Sequence, residues 1–290
     1  MAKTKRPPAS LSTLLMARTA EDLLRHDPRD TPGFLGTKDE AKAVMPVLSD
    51  EVAGLQERLY AEADGGGRRS LLLVVQGMDT SGKGGIMRHV VGACDPQGVR
   101  LTAFKAPTRV ERAHPFLWRI RKALPLPGEI GVFDRSHYED VLIVRVRNLV
   151  PPARWRRRYD QINEFEQQVA ASGTTIVKVM LNISPDEQYA RLSERLARPD
   201  KYWKYNPGDV DERLLWPAYQ EAYAAAIERC STDVAPWYVV PADRKWYARY
   251  AVLGLLREQL EKMDPQWPRA GFRISAEQAR LEAARDVAAR

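Results

Sequence analysis

Nine residues carry the densest chemistry in the chain: Gly77-Met78-Asp79-Thr80-Ser81-Gly82-Lys83-Gly84-Gly85. Against the pattern G-x-x-x-x-G-K-[ST], Gly77, Gly82 and Lys83 stand at the right spacing and Gly84 replaces the hydroxyl residue. Glycines at 77, 82, 84 and 85 let backbone N–H groups turn inward onto phosphate oxygens, and Lys83 adds a point charge. The missing hydroxyl removes one usual Mg²⁺ contact. Asp79, inside the loop, would repel a phosphate chain unless a cation lay between them. We therefore read Asp79 as a metal-binding or acceptor-orienting group, against the plainer reading of a turn-capping Asp. A second carboxylate, Asp134, ends the apolar run Ile130-Gly131-Val132-Phe133, where a Mg²⁺-binding Asp would stand. Arg135 follows within reach of the same phosphates. His137 is read equally as packing or chemistry, and Glu139 as facing the acceptor.

Two further sets bear on the same chemistry. Arg191, Arg195 and Arg198 are four and three residues apart and share a helix face. In a mobile lid they would close over a transferring phosphoryl group, with Arg195 the strongest single candidate. The chain is basic, with 45 Lys and Arg against 38 Asp and Glu, a net +7. The stretch from Arg109 to Arg158 alone carries twelve basic and five acidic residues, so the whole excess sits there. Such a stretch expects a polyanionic partner or is a solvated helix face.

The elements that must position these groups alternate. Helix is predicted over Lys38 to Ala63, with Pro46 as a point of kinking or splitting. Strands follow at Leu71–Val75, Val99–Phe104, Ile130–Phe133, Thr174–Ile183 and Trp237–Val240. Helices are expected at 86–93, 114–124, 154–172, 184–198, 219–230, 245–263 and in the tail. Ser184-Pro185-Asp186-Glu187 reads as a helix start. Strands alternating with helices predict an α/β sandwich with a five-stranded parallel sheet, and the arginine block between the fourth and fifth strands a helical lid near 184–215. Ligands in such sheets bind at the carboxyl ends of strands. Residues 1–37 are read as an extended arm, 38–268 as the catalytic domain and 269–290 as a helical tail.

At 290 residues with 44% hydrophobic and 29% charged residues, the chain is expected to be globular. Two cysteines exclude a disulfide framework or a Cys-rich zinc site, and fit a reducing cytoplasm. No apolar run is long enough for a membrane span, and no secretory signal is read.

The ordered blocks G-M-D-T-S-G-K-G-G, D-P-Q-G-V-R-L-T-A-F-K-A-P-T, F-L-W-R, G-E-I-G-V-F-D-R-S-H-Y-E-D-V, R-L-S-E-R-L-A-R-P-D-K-Y-W-K and P-W-Y-V-V-P-A-D-R-K-W-Y-A-R resemble the family-2 polyphosphate kinases. The likeness runs from about Gly33 to Leu256. It implies a P-loop kinase fold, a three-layer α/β/α sandwich with a helical lid, together with Mg²⁺-dependent (or Mn²⁺-dependent) phosphoryl transfer between inorganic polyphosphate and a nucleotide, and a homodimer or homotetramer. Asp79, Lys83, Asp134 with Arg135, and Arg195 match family positions, and Lys105 lies in its F-K-A-P block. Polyphosphate would run along a groove built from the Arg109 to Arg158 stretch and the lid. His137 and Glu139 replace the Trp and Asn of the diphosphate-only group, so S-H-Y-E resembles the branch accepting both AMP and ADP. Two rivals stay open: an ATP-dependent small-molecule or nucleoside kinase of this fold, and a nucleic-acid-binding P-loop protein. No RNA-binding signature supports the latter, and no nucleic-acid or membrane partner is expected.

Overall fold

The computed structural model describes residues 9–285. Six strands form one sheet: β1 (Met16–Ala17), β2 (Ser70–Gln76), β3 (Val99–Ala103), β4 (Ile130–Asp134), β5 (Thr174–Asn182) and β6 (Trp237–Pro241), in the order β1-β6-β5-β2-β4-β3. β2 to β6 are all parallel, and β1 pairs antiparallel with β6 through Met16↔Tyr238 and Ala17↔Trp237. The five expected parallel strands are present; the sixth comes from the segment read as an arm.

The central strands are apolar on both faces because helices cover both. Leu71, Leu73 and Val75 point into one core with α1 (Leu11–Leu15), α3 (Lys38–Asp64), α4 (Lys83–His89) and α12 (Lys245–Met263). Leu72 and Val74 point into the other, with α2 (Ala20–Arg25), α6 (Trp118–Ala123), α8 (Pro152–Ala171) and α11 (Trp216–Cys230). Short α5 (Arg109–Arg112) and α7 (Ile143–Val146), the lid helices α9 (Pro185–Ala197) and α10 (Gly208–Leu214), and the tail helix α13 (Ile274–Ala283) complete the chain. Residues 286–290 of the expected tail helix lie outside the described residues. Among the described residues no helix is long and apolar enough to cross a membrane.

Two expectations are corrected. Residues 11–25 are not extended: Leu15 and Ala17 are fully buried, and the first N–H groups of α1 are held by the Glu258 carboxylate of α12, at 2.7 Å to Leu11 and 2.9 Å to Ser12. A five-residue helix capped from 246 positions away leaves no local periodicity to read. Pro46 does not split α3, which runs unbroken from Lys38 to Asp64. Pro46 lies on the exposed side, where water can meet the carbonyl left without a donor. The Ser184 start is as read: its hydroxyl accepts from Glu187 N at 3.1 Å, with Pro185 in the first turn.

Candidate active site

The site is built where two neighbouring parallel strands end together. Val75 of β2 stands in register with Asp134 of β4, so the glycine loop and the Asp-Arg pair leave the sheet side by side. The loop backbone needs its glycines. Gly77 has φ +153°, and a Cβ there would lie 2.9 Å from the Leu181 carbonyl oxygen; Gly82 has φ +115°. Thr80 and Arg135 hold φ +64° without being glycine, a strain that the packed surroundings sustain at functional loops. Arg135 N donates to the Val75 carbonyl at 3.1 Å, which turns the chain sharply after β4.

That turn brings Arg135 Nη2 to 3.1 Å from Asp79 Oδ1. Lys83 Nζ donates to the Gly77 carbonyl at 2.7 Å and the Met78 carbonyl at 3.2 Å, curled under its own loop. Packing pushes the Lys83 ammonium below its ordinary range, opposed by Asp79. Burial raises the Glu139 carboxyl, with Arg135 and Lys83 pulling it back. Orienting the Gln76 amide by its hydrogen-bonding partners lets it accept from Ser136 and donate to Glu139 Oε1 at 3.1 Å. Asp79, Arg135 and Glu139 line a cavity of about 210 Å³, closed from the lid side by Asn206, Asp209 and Glu212 and from α11 by Tyr219 and Tyr223.

The predicted lid arginines separate. Arg191 is buried and fully engaged: Glu187 at 2.7 Å, the Thr80 carbonyl at 2.8 Å, and the Ala242 and Asp243 carbonyls at 2.7 and 2.8 Å. It clamps α9 onto the glycine loop. Arg195 binds Asp209 Oδ2 at 3.0 Å, and Asp209 lines the cavity. Arg198 is exposed and turned to Asp200 and Glu194. Lys105 lies on a separate basic cavity of about 410 Å³ with Arg100, Arg119 and Lys122. Gly84 is exposed and Gly85 half-buried at the start of α4.

His137 turns away from this cavity. It is fully buried, with Nε2 3.1 Å from Glu166 Oε1. Tyr138 OH donates to the same oxygen at 2.9 Å, and Lys178 Nζ donates to Glu166 Oε2 at 2.6 Å, Tyr138 OH at 2.7 Å and the Cys230 carbonyl at 2.6 Å. Burial pushes the Glu166 carboxyl up, yet Lys178 and His137 outweigh it and hold it below the usual carboxyl range.

Sequence reasoning missed Gln76, Asp209, Glu212, Tyr219 and Tyr223. Gln76 had a signal, a polar residue closing the apolar run Leu71–Val75. The others come from α10 and α11, whose placement over the site depends on the fold of the lid.

For a cation, the chemistry of the donor set decides. Asp134 ends β4 half-buried, and Asp79 keeps Oδ2 free of Arg135. Among the described residues no group of three or more His, Cys, Asp or Glu could hold a metal ion. Two carboxylates without a closed protein cage suit Mg²⁺, which keeps waters and shares substrate phosphates.

The model of the family Polyphosphate kinase 2 matches residues 36–268. The chain is 49% identical over 247 residues to an AMP/ADP-polyphosphate phosphotransferase of Meiothermus ruber, covering 85% of this chain and 91% of that one. It is 38% identical over 253 residues to an ADP-polyphosphate phosphotransferase of Rhodopseudomonas palustris, covering 83% and 86%. The crystal structure of a polyphosphate kinase 2 from Arthrobacter aurescens superposes with a TM-score of 0.93 at 50% identity, over 97% of this chain and 100% of that one. A family model matched over residues 36–268, with a relative at 49% and a solved structure at 50% identity over most of both chains, places this protein in the polyphosphate kinase 2 family.

Proposed function

We propose that the protein transfers a phosphoryl group between inorganic polyphosphate and a nucleotide, using AMP or ADP as acceptors in the direction of ATP formation. The observation that carries this reading is the register of β2 with β4, which sets the glycine loop and Asp134-Arg135 side by side at one sheet edge under the lid. The 49% identity to a phosphotransferase named for both AMP and ADP supports the dual acceptor.

The residues divide the work. Backbone N–H groups of the loop and Lys83 hold the phosphates. Arg135, paired with Asp79, lines the cavity, where it can neutralise charge that grows on the transferring group. Arg195 is released to the same charge when its partner Asp209 yields. Glu139, held by Gln76, faces the acceptor and, with Asp79, keeps its terminal phosphate in line. Mg²⁺, held by Asp134 and Asp79, would supply charge neutralisation on the phosphate oxygens. The transfer is direct, since His137 is spent on Glu166 and faces no phosphate. This reading includes a cytoplasmic protein assembled as a homodimer or homotetramer, checked by light scattering.

The test is luciferase-detected ATP with long-chain polyphosphate and Mg²⁺, with ADP, and a parallel assay of AMP phosphorylation. Turnover of both acceptors supports the reading. Turnover of ADP alone removes the role given to Glu139. Silence with both, in folded protein, overturns the function in favour of an ATP-dependent kinase.

A further inference from the structure

One buried polar side chain beside the site has no part in the mechanism above. Gln188 lies in α9 and is 1% exposed. A buried amide must find partners for both its ends. Its Nε2 donates to the Asp79 carbonyl at 3.2 Å, and its Oε1 accepts from Arg213 Nη1 at 3.0 Å. These partners fix which way the amide faces, since a guanidinium only donates and a carbonyl only accepts. They belong to different parts of the molecule. Asp79 is in the glycine loop, and Arg213 is in lid helix α10.

Each end bears on the site. Thr80 follows Asp79 with φ +64°, a backbone conformation that a β-branched residue disfavours. The peptide between them is trans, so holding the Asp79 carbonyl on α9 turns the Thr80 N–H away from that helix. That N–H donates to no group among the described residues. Arg191, one helical turn further along α9, holds the next carbonyl, that of Thr80, at 2.8 Å. Gln188 and Arg191 therefore fix two successive peptides of the loop against α9. They differ in what fixes them. Arg191 is anchored on Glu187 and on the Ala242 and Asp243 carbonyls after β6. The Gln188 amide is anchored on α10, through Arg213, whose Nη1 also donates to the Pro185 carbonyl at 2.7 Å. α10 carries Asp209 and Glu212 of the catalytic cavity as well. The helix that closes the cavity is thus the helix that orients the amide on the loop.

We propose that Gln188 is a positioning residue that couples the lid to the glycine loop. With α10 in place, Arg213 aims the Gln188 amide at the Asp79 carbonyl, and the loop holds Asp79 and the Thr80 N–H ready for cation and phosphate. With Arg213 withdrawn the amide is free to rotate, and the Asp79 carbonyl loses its donor. The kinetic consequence rests on the phosphoryl-transfer reading above; the coupling itself rests on these contacts.

The experiment uses the full chain with Gln188→Leu, Arg213→Gln and the double variant. Leucine keeps the buried volume and removes both hydrogen bonds. Arg213→Gln alters no residue of α9 or the loop and lies at a half-buried position, so it tests the coupling even where Gln188→Leu fails to fold. Turnover of ADP with long-chain polyphosphate is measured across Mg²⁺ concentrations, together with amide hydrogen exchange of residues 78–82 and the urea midpoint. Gln188→Leu should lower kcat about tenfold and raise the Mg²⁺ concentration for half-maximal rate. Arg213→Gln should change both in the same direction by less. Because Arg213 acts through Gln188, the double variant should be no worse than Gln188→Leu. Exchange at 78–82 should quicken in every variant while β2 and β5 keep wild-type protection. Losses that multiply in the double variant overturn the coupling. So does loop exchange that stays at the wild-type rate in Arg213→Gln. Faster exchange throughout the chain with a lower urea midpoint makes Gln188 a packing residue and overturns it too. If wild type turns over no polyphosphate, the functional reading fails. The coupling is then judged on exchange alone: faster loop exchange in Arg213→Gln supports it, and unchanged exchange overturns it.

Discussion

The loop from Asp134 to Asp140 separates two charged clusters that differ in one respect. On its open side Asp79, Arg135 and Glu139 face a cavity, with Lys83 beside them on the Gly77 and Met78 carbonyls. On its closed side Glu166, Lys178, His137 and Tyr138 are fully buried and spend their charges on one another. Both hold a carboxylate and a lysine beside the same seven residues. The closed cluster fixes where the loop lies. The open cluster keeps charge in reserve for phosphates and a cation. Composition cannot tell the two apart; what separates them is burial, since the closed cluster pairs its charges away from water while the Arg135–Asp79 pair lies on a cavity that a ligand can enter.

The sharpest way to test that division is to remove one lysine from each side. Lys83→Ala should lower kcat by about a hundredfold or more while the denaturation midpoint barely moves, as steady-state kinetics and urea titration would report. An unfolded or fully active variant would erase the distinction. Lys178→Met should do the reverse. It strands the Glu166 carboxylate in the interior and should cost about 3–5 kcal/mol of stability, read by urea unfolding. Glu166 also adds a pH signature. Its folded carboxyl titrates below the unfolded one, so its stabilisation is present above the unfolded pKa and lost as pH falls through the folded one. Stability measured from neutral to acid pH should drop there in wild type and lose that drop in Glu166→Gln.

Smaller effects probe the open side alone. Burial raises the Glu139 carboxyl, so if its ionised form orders the acceptor, kcat/KM should fall as pH drops through a value above the ordinary carboxyl range. Glu139→Gln should remove that acid limb and shift the AMP to ADP ratio; an unchanged limb assigns it to another group. Asp209→Asn should have the least effect. Freeing Arg195 from a half-screened pair is worth up to about 1 kcal/mol, a change of a few-fold in the polyphosphate KM. A hundredfold loss would make Asp209 part of the chemistry rather than a latch.

How much was legible can be argued from the same residues. Gly77 to Gly85 and Asp134-Arg135 could be read because their chemistry is local: a tight turn, a strand end and a lysine at fixed spacing. Arg191, Arg195 and Arg198 could be placed on one helix but not ranked. Spacing gives a shared face, and only packing shows that Arg191 is consumed by the loop carbonyls and Arg198 by Asp200. The short segment from Leu11 to Ala17 was missed because its cap, Glu258, and its strand partner, β6, lie more than two hundred residues away. The basic stretch was visible as a sum, while which of its arginines are paired, Arg145 with Glu221, Arg147 with Glu212 and Arg158 with Asp140, was not.

By itself, then, the amino-acid order determined the alternation of strands and helices, the glycine loop after β2 and the carboxylate at the end of β4. Each depends on residues within one turn or one strand of each other. The tertiary structure decided which charges meet and which stay free. Those contacts join residues tens to hundreds of positions apart, and their outcome depends on burial: Lys178 is sealed against Glu166, whereas Lys83, on the Gly77 and Met78 carbonyls, pairs with no carboxylate among the described residues.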